Sequence, residues 1–196
     1  MVSWSCQSGT WQSDCTTKPG ATFKTPIRLN LYRSSTTNPT TGEVKPGSKI
    51  MSVTKTFAIH YRPSSASSDE PRFLGKDGAY HNGLDQTITF PMNRKLGSDV
   101  VWTVSYNTAN HGPSPLGVAS ETDSLNVGLA PSVRVGHDRF PDSIFWDTTV
   151  QGFTCADPTA GNGGPFVTGE LNRDSTCNGT TNSWAGYVPA VRFSTR

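Results

Sequence analysis

Two short runs carry the residue types of acid–base chemistry, His60-Tyr61-Arg62 and Tyr80-His81-Asn82. A polysaccharide lyase needs a proton abstractor such as His or Tyr, and a group that neutralises the substrate carboxylate, commonly Arg, Gln or Asn. His60, Tyr61, Tyr80 and His81 are therefore the candidate catalytic residues, with Arg62 and Asn82 as neutralising groups. Neighbours on a strand point to opposite faces, so a Tyr61 that faces the core sends His60 outward. Glycosidase chemistry asks instead for two carboxyl groups across one cleft. The chain has four glutamates: Glu43, Glu70 and Glu121 fall in turn-rich segments, and only Glu170, beside Leu171, is placed to lie on a strand. Of eleven aspartates, only Asp85 and Asp147 fall inside expected strands. That distribution reads as solvated loop carboxylates and argues against a hydrolase. Serine catalysis has no G-x-S-x-G elbow to stand on, and His111 and His137-Asp138 read as loop residues. Gly161-Asn162-Gly163-Gly164 lacks the Lys and the following helix of a phosphate loop.

Metal and sulfur chemistry are also narrow. Asp138, Asp142 and Asp147, with Asp123 upstream, are hard oxygen donors suited to calcium, but without EF-hand spacing. A structural calcium held by Asp123, Asp138 and Asp142 is the one candidate cofactor, and no other is expected. The four cysteines allow three pairings, and local spacing favours Cys6 with Cys15 and Cys155 with Cys177, across 8 and 21 intervening residues. Neither interval holds a histidine or a CxxC knuckle, so disulfides are favoured over zinc, as in an oxidising compartment. Asn178-Gly179-Thr180 is a single glycosylation sequon.

Ligand binding by aromatic rings fits the composition better. Sugars stack an apolar C–H face on an aromatic ring while Asn, Asp, Arg and Thr bond their hydroxyls, so Trp and Tyr in polar loops are the relevant signal. Trp184, Tyr187, Tyr80 and Trp11 lie in or beside such loops, as does Trp4, and Asn107 and His111 supply polar partners. Trp184, flanked by Asn182, Ser183 and Gly186, is equally suited to be a platform or a plug over the end of the fold. Trp102 and Trp146 lie in strand-like runs and belong to the core.

The elements that must position these residues are strands. Ile27, Leu29 and Leu31 alternate with Arg28, Asn30 and Tyr32. Met51, Val53, Phe57, Ile59 and Tyr61 share one face, with Lys55 the lone interruption, and Leu84, Gln86, Ile88 and Phe90 share another. Val100, Trp102, Val104 and Tyr106 make the clearest strand, because side chains at spacing two stand on one side of a pleated ribbon. Weaker strands are expected at residues 125–129, 133–135, 144–150 and 187–193, and turn-rich loops at 33–49, 62–83, 107–124 and 155–183. Eight or so short strands with Gly/Pro punctuation in 196 residues predict an all-β protein, a single antiparallel β-sandwich or jelly-roll-like domain with long polar loops. Residues 1–26 are expected as an N-terminal extension with a local disulfide, and 27–196 as the sandwich.

Composition agrees. With 16% charged residues, 19 glycines and 47 Ser plus Thr, the chain has the balance of a secreted β protein; ordinary soluble domains carry roughly 25% charged residues. A net charge of +2 on scattered Lys and Arg offers no basic face for nucleic acid or anionic membranes. No apolar run approaches the roughly 18 residues of a membrane span, and residues 1–20 hold no signal-peptide core, which implies a mature or truncated chain.

The runs VVWTVSYNTANHGPSPLG (100–117), TDSLNVGLAPSVRVGHDRFPDSIFWDT (122–148) and YVPAVRFST (187–195), with TFAIHYRPS (56–64) and YHNGLDQTITF (80–90), form a pattern. It resembles a group of uncharacterised secreted β-sandwich proteins of bacteria, frequent in actinobacteria, over residues 27–195. The resemblance implies a secreted or surface-attached sandwich without an established activity. It points to Asn107, Asn126 and Asp142 as shared polar positions, alongside the alternative that they only bond local backbone. Three functions follow as expectations. The first is a non-catalytic extracellular module that binds a polysaccharide or cell-surface glycan. The second is a structural, assembly or adhesin module whose partners are other extracellular protein chains. The third is a polysaccharide lyase or hydrolase.

Overall fold

The computed structural model describes residues 1–38, 43–106, 125–137, 145–146, 172–173, 176–177, 180–181 and 188–194, and among them the secondary structure is entirely strand, bridge and turn. The chain divides into two compact units, Met1–Val127 and Gly128–Arg196.

The first unit is organised by a long hairpin. Strands β2 (Thr22–Asn38) and β3 (Glu43–His60) pair antiparallel along their length, from Thr22 opposite His60 to Asn38 opposite Glu43. Strand β7 (Val100–Ser105) pairs antiparallel with the other side of β2, giving the order β3-β2-β7. Register sets the faces. Leu29 stands opposite Val53 and Val104, and Leu31 opposite Met51 and Trp102, so the alternating sets of three strands fall on one side. Ile27 and Leu31 are fully buried, whereas Arg28 between them is exposed.

A second, smaller sheet adds Leu125 to the core on that side. Strand β1 (Val2–Ser3) lies between β6 (Leu84–Asp85) and β8 (Leu125–Asn126), antiparallel to both. Leu125 joins Phe23, Ile27, Phe57 and Ile59 in the core, and Met1, Ile88, Phe90, Val104 and Tyr106 pack around them. Each such side chain contributes about 1.5–3 kcal/mol on burial. Burial also pushes the Tyr106 hydroxyl well above its ordinary range, opposed by a hydrogen bond to the backbone of Val127. A short hairpin, β4 (Phe73–Leu74) with β5 (Tyr80–His81), completes the unit.

In the second unit β9 (Leu129–Ala130) pairs with β14 (Val188–Pro189), β10 (Phe145–Trp146) with β11 (Asn172–Arg173), and β12 (Thr176–Cys177) with β13 (Thr180–Thr181), all antiparallel.

Three expectations about elements need correction. Residues 33–49 are not a long loop: β2 continues to Asn38 and β3 starts at Glu43, with register shifts near Tyr32, Ser34 and Asn38. This part of the ribbon lies beyond Arg33, the last residue of β2 that β7 pairs. Gly47 is needed there, because a Cβ would stand 2.9 Å from the Arg33 carbonyl oxygen. Residues 133–135 form no strand, and Val135 is 91% exposed, so its apolar type was not a sign of burial. Beyond Asp85 the run to Phe90 keeps its alternating burial without ladder pairing, since the Gln86 amide donates to the Met1 carbonyl and Ile88 and Phe90 go into the core.

Lys55, the interruption in the apolar face of β3, stands opposite the buried Ile27 yet is itself exposed. Its ammonium lies 4.9 Å from the centroid of the Phe57 ring. Within its sheet β3 is an outer strand, so the aliphatic stem can cover apolar surface while the charge stays in water.

Candidate functional site

The site grows from the disulfide. Cys6 and Cys15 are joined, as their spacing suggested, with Cα atoms 5.4 Å apart, and both are buried. Closing so short a loop stabilises a fold by about 2–3 kcal/mol in the chain-entropy account. The loop is tied further by paired amides and carbonyls of Ser8 and Thr16, and by Asp14, whose carboxylate accepts from the Thr10 amide and the Ser13 hydroxyl. Those bonds, the Thr10 one foremost, hold the Asp14 carboxyl below its ordinary range. Trp11 on this loop packs edge-on against Trp4, with ring centroids 4.6 Å apart, and both rings remain partly exposed.

Arg62 docks the loop onto its neighbours. Its side chain is fully buried. Its guanidinium donates to the carbonyl oxygens of Trp11 (3.0 Å), Pro71 (2.6 Å) and Pro63 (3.2 Å), and lies 5.5 Å from the centroid of the Phe73 ring. The backbone adds bonds from the Arg62 amide to Ser5 and from the Ser65 amide to Cys15. Arg62 is therefore engaged inside the protein, not poised to neutralise a substrate carboxylate as the His60-Tyr61-Arg62 run suggested.

Phe73 leads to the β4–β5 hairpin. Residues 75–79 turn through the Gly75 amide to the Ala79 carbonyl (2.7 Å) and the Gly78 amide to the Gly75 carbonyl (3.1 Å), with Gly78 at φ 80°. This is the three-residue loop that wants glycine in the left-handed position. Asp77 accepts from the Ala79 amide and holds His81 Nε2 at 3.0 Å from both carboxylate oxygens. The His81 bond is the main reason the Asp77 carboxyl lies below its ordinary range. A side chain at Gly75 would collide with this pair.

The two faces of the hairpin differ. Phe73 is buried opposite His81, their rings 5.7 Å apart, whereas Leu74 and Tyr80, opposite one another, are 57% and 46% exposed. Arg72 lies 5.5 Å from the Tyr80 ring centroid and is gripped by Glu70 through two bonds of 2.7 Å. That grip lowers the Glu70 carboxyl and raises Arg72. An exposed ring thus stands beside a fixed guanidinium–carboxylate pair, an arrangement able to stack on an apolar ligand face and bond its hydroxyls.

The candidate catalytic pairs are split. Tyr61 packs on Phe23, ring centroids 4.9 Å apart, against the core, while His60 is exposed with its backbone amide and carbonyl both bonded by the Gln86 side chain. Tyr80 and His81 likewise take opposite faces. Neither pair presents both rings to one substrate atom. Of the ligand-binding candidates the structure describes Tyr80 and Trp11, and links their segments through Arg62 and Phe73. Trp184, Tyr187, Asn107 and His111 lie outside the described residues, as do Asp123, Asp138 and Asp142. Cys155 also lies outside them, and of Cys177 only the strand position is described. Asn126 sits half-buried on β8. Among the described residues no group of three or more His, Cys, Asp or Glu could hold a metal ion, and no helix is long and apolar enough to cross a membrane.

The sequence pattern points to neither Arg72 nor Asp77, and it places Glu70 only among the solvated loop carboxylates. A signal was present: Asp77-Gly78 between Phe73-Leu74 and Tyr80-His81 is a hairpin signature, which places Tyr80 on a turn-bounded strand. Comparison with protein-family models, with curated proteins and with solved structures finds no match for this chain.

Proposed function

We propose that the chain is a non-catalytic extracellular module, a secreted β-sandwich of the bacterial type it resembles, that binds polysaccharide or a cell-surface glycan. The observation that supports this most is the Tyr80 face: a ring 46% exposed, carried on a hairpin pinned by Asp77–His81 and flanked by Arg72–Glu70. Rigid placement matters because an ordered ring loses little freedom when a sugar stacks on it. The disulfide is compatible with an extracellular location.

The test is retention on a panel of insoluble polysaccharides together with a glycan array, comparing the parent chain with Tyr80→Ala and Trp184→Ala. Loss of one stacking ring is expected to weaken binding by about 1–2 kcal/mol, roughly 5- to 30-fold. Retention unchanged in Tyr80→Ala would remove the role given to this face.

A structural or adhesive module is the second reading, favoured by the outer edge of β3. Gln86 occupies that edge at His60, and from Ser52 to Ala58 no further strand pairs with it among the described residues. Unpaired edges template pairing with another chain. Lys55 on the same strand is the kind of charge that guards an edge, which ranks this reading second.

A further inference from the structure

Where β7 begins, the β2–β3 ribbon and the loop before β7 line an open concavity of about 260 Å³ in the first unit, and its charged residues Arg33, Lys95 and Asp99 are exposed. Its walls carry two cations, Arg33 and Lys95, two hydroxyl groups, Ser34 and Ser98, the Asp99 carboxylate and the half-buried Ile50. Among the described residues neither Arg33 nor Lys95 forms an ion pair. Asp99 accepts the Ser98 hydroxyl at 3.0 Å. On these walls two cations outnumber the single Asp99 carboxylate, and that balance favours a bound anion. An Arg fork matches a carboxylate in geometry as well as charge. The same walls hold what a sugar ring needs besides: a carboxylate and hydroxyls for its own hydroxyl groups, and an aliphatic side chain for its C–H face. The volume falls below the roughly 300–1,000 Å³ of drug-sized pockets, which suits one small unit.

We propose that this concavity is a subsite for a carboxylate-bearing sugar unit of an acidic polysaccharide. The assignment rests on the glycan-binding reading and names its ligand class. Arg33 and Lys95 receive the carboxylate, while Asp99, Ser34 and Ser98 bond the ring hydroxyls.

The ¹⁵N-labelled full chain is titrated with trigalacturonate and with its fully methyl-esterified form, which keeps the sugars and removes the charge. The parent chain is compared with Arg33→Gln/Lys95→Gln and with Tyr80→Ala. The expected result is that trigalacturonate shifts the amides of residues 33–34 and 97–99, and that affinity falls at least tenfold on esterification and in the double variant. Equal affinity for acid and ester, or for parent and double variant, overturns the subsite. Shifts matched by sodium acetate at the same carboxylate concentration overturn it as a sugar site. Neutral glycans held in a Tyr80-dependent way, with the double variant unaffected, overturn the subsite and leave the binding reading standing. Absence of any glycan binding removes both.

Discussion

Replacing Arg62 by methionine keeps an unbranched stem as far as the Nε position and removes every donor. Three charge-assisted bonds disappear, to Trp11, Pro71 and Pro63, together with the contact over Phe73. At about 1.5–3 kcal/mol for each hydrogen bond to a charged group, the gross loss is about 4.5–9 kcal/mol. Part is offset, because methionine no longer carries the several kcal/mol that burying a guanidinium costs. A net destabilisation of about 3–4 kcal/mol is expected, a large share of the 5–15 kcal/mol typical of a domain. Arg62→Lys keeps the charge but replaces a rigid fork with one point donor, and should lose about 2 kcal/mol. Urea denaturation followed by tryptophan fluorescence reads the stability, since Trp4 and Trp11 sit at the affected loop. Limited proteolysis reads the location: cleavage of Arg62→Met should accelerate at residues 4–20 and 62–83 before the β2–β3 hairpin is touched. A variant within about 1 kcal/mol of the parent, with unchanged cleavage, would refute the idea that Arg62 ties the two loops together.

Acid should loosen the β4–β5 hairpin. The Glu70 and Asp77 carboxyls are held below their ordinary values of 4.5 and 3.8, so their contribution is complete above those values and is lost as pH falls through the lowered folded ones. Hydrogen exchange of the amides at residues 73–81, corrected for intrinsic rate, should lose protection as pH falls below those ordinary values, and Asp77→Asn should flatten the profile; a profile identical in the variant counts against the Asp77 contribution. Lys55→Val should extend the apolar face of β3 and promote concentration-dependent self-association relative to the parent chain by light scattering. If the two chains scatter alike at all concentrations, Lys55 does not guard that edge.

Local pattern carried much of the first unit. Alternation at Ile27, Leu29 and Leu31 and at Val100 to Tyr106 needs only the pleat to place those side chains on one face; burial follows it on β2, whereas β7 is half-buried from Val100 to Val104 on both faces. The Cys6–Cys15 pairing was legible for a similar reason, since short separation made it the pairing with least chain to close. The extent of β2 and β3 was not legible, because polar residues in a paired ribbon and in a loop have the same composition. Val135 misled in the opposite direction, since type alone says nothing about which neighbours are present to cover a side chain.

Alternation and turn residues alone give the all-β character and the faces of the main strands, and they mark Tyr80 and Trp11 as aromatic residues in or beside polar loops. The role of Arg62 comes from packing between distant segments. Its acceptors lie 51 residues before it, 9 after it and next to it, and nothing in the His60-Tyr61-Arg62 run announces them. The same holds for Arg33 and Lys95, which come from β2 and from the loop before β7, and meet at one concavity only because β7 pairs with β2. Side-chain direction along a strand is local and repeats every two residues; the partners of a buried or converging charge depend on how distant segments pack, which no local pattern encodes.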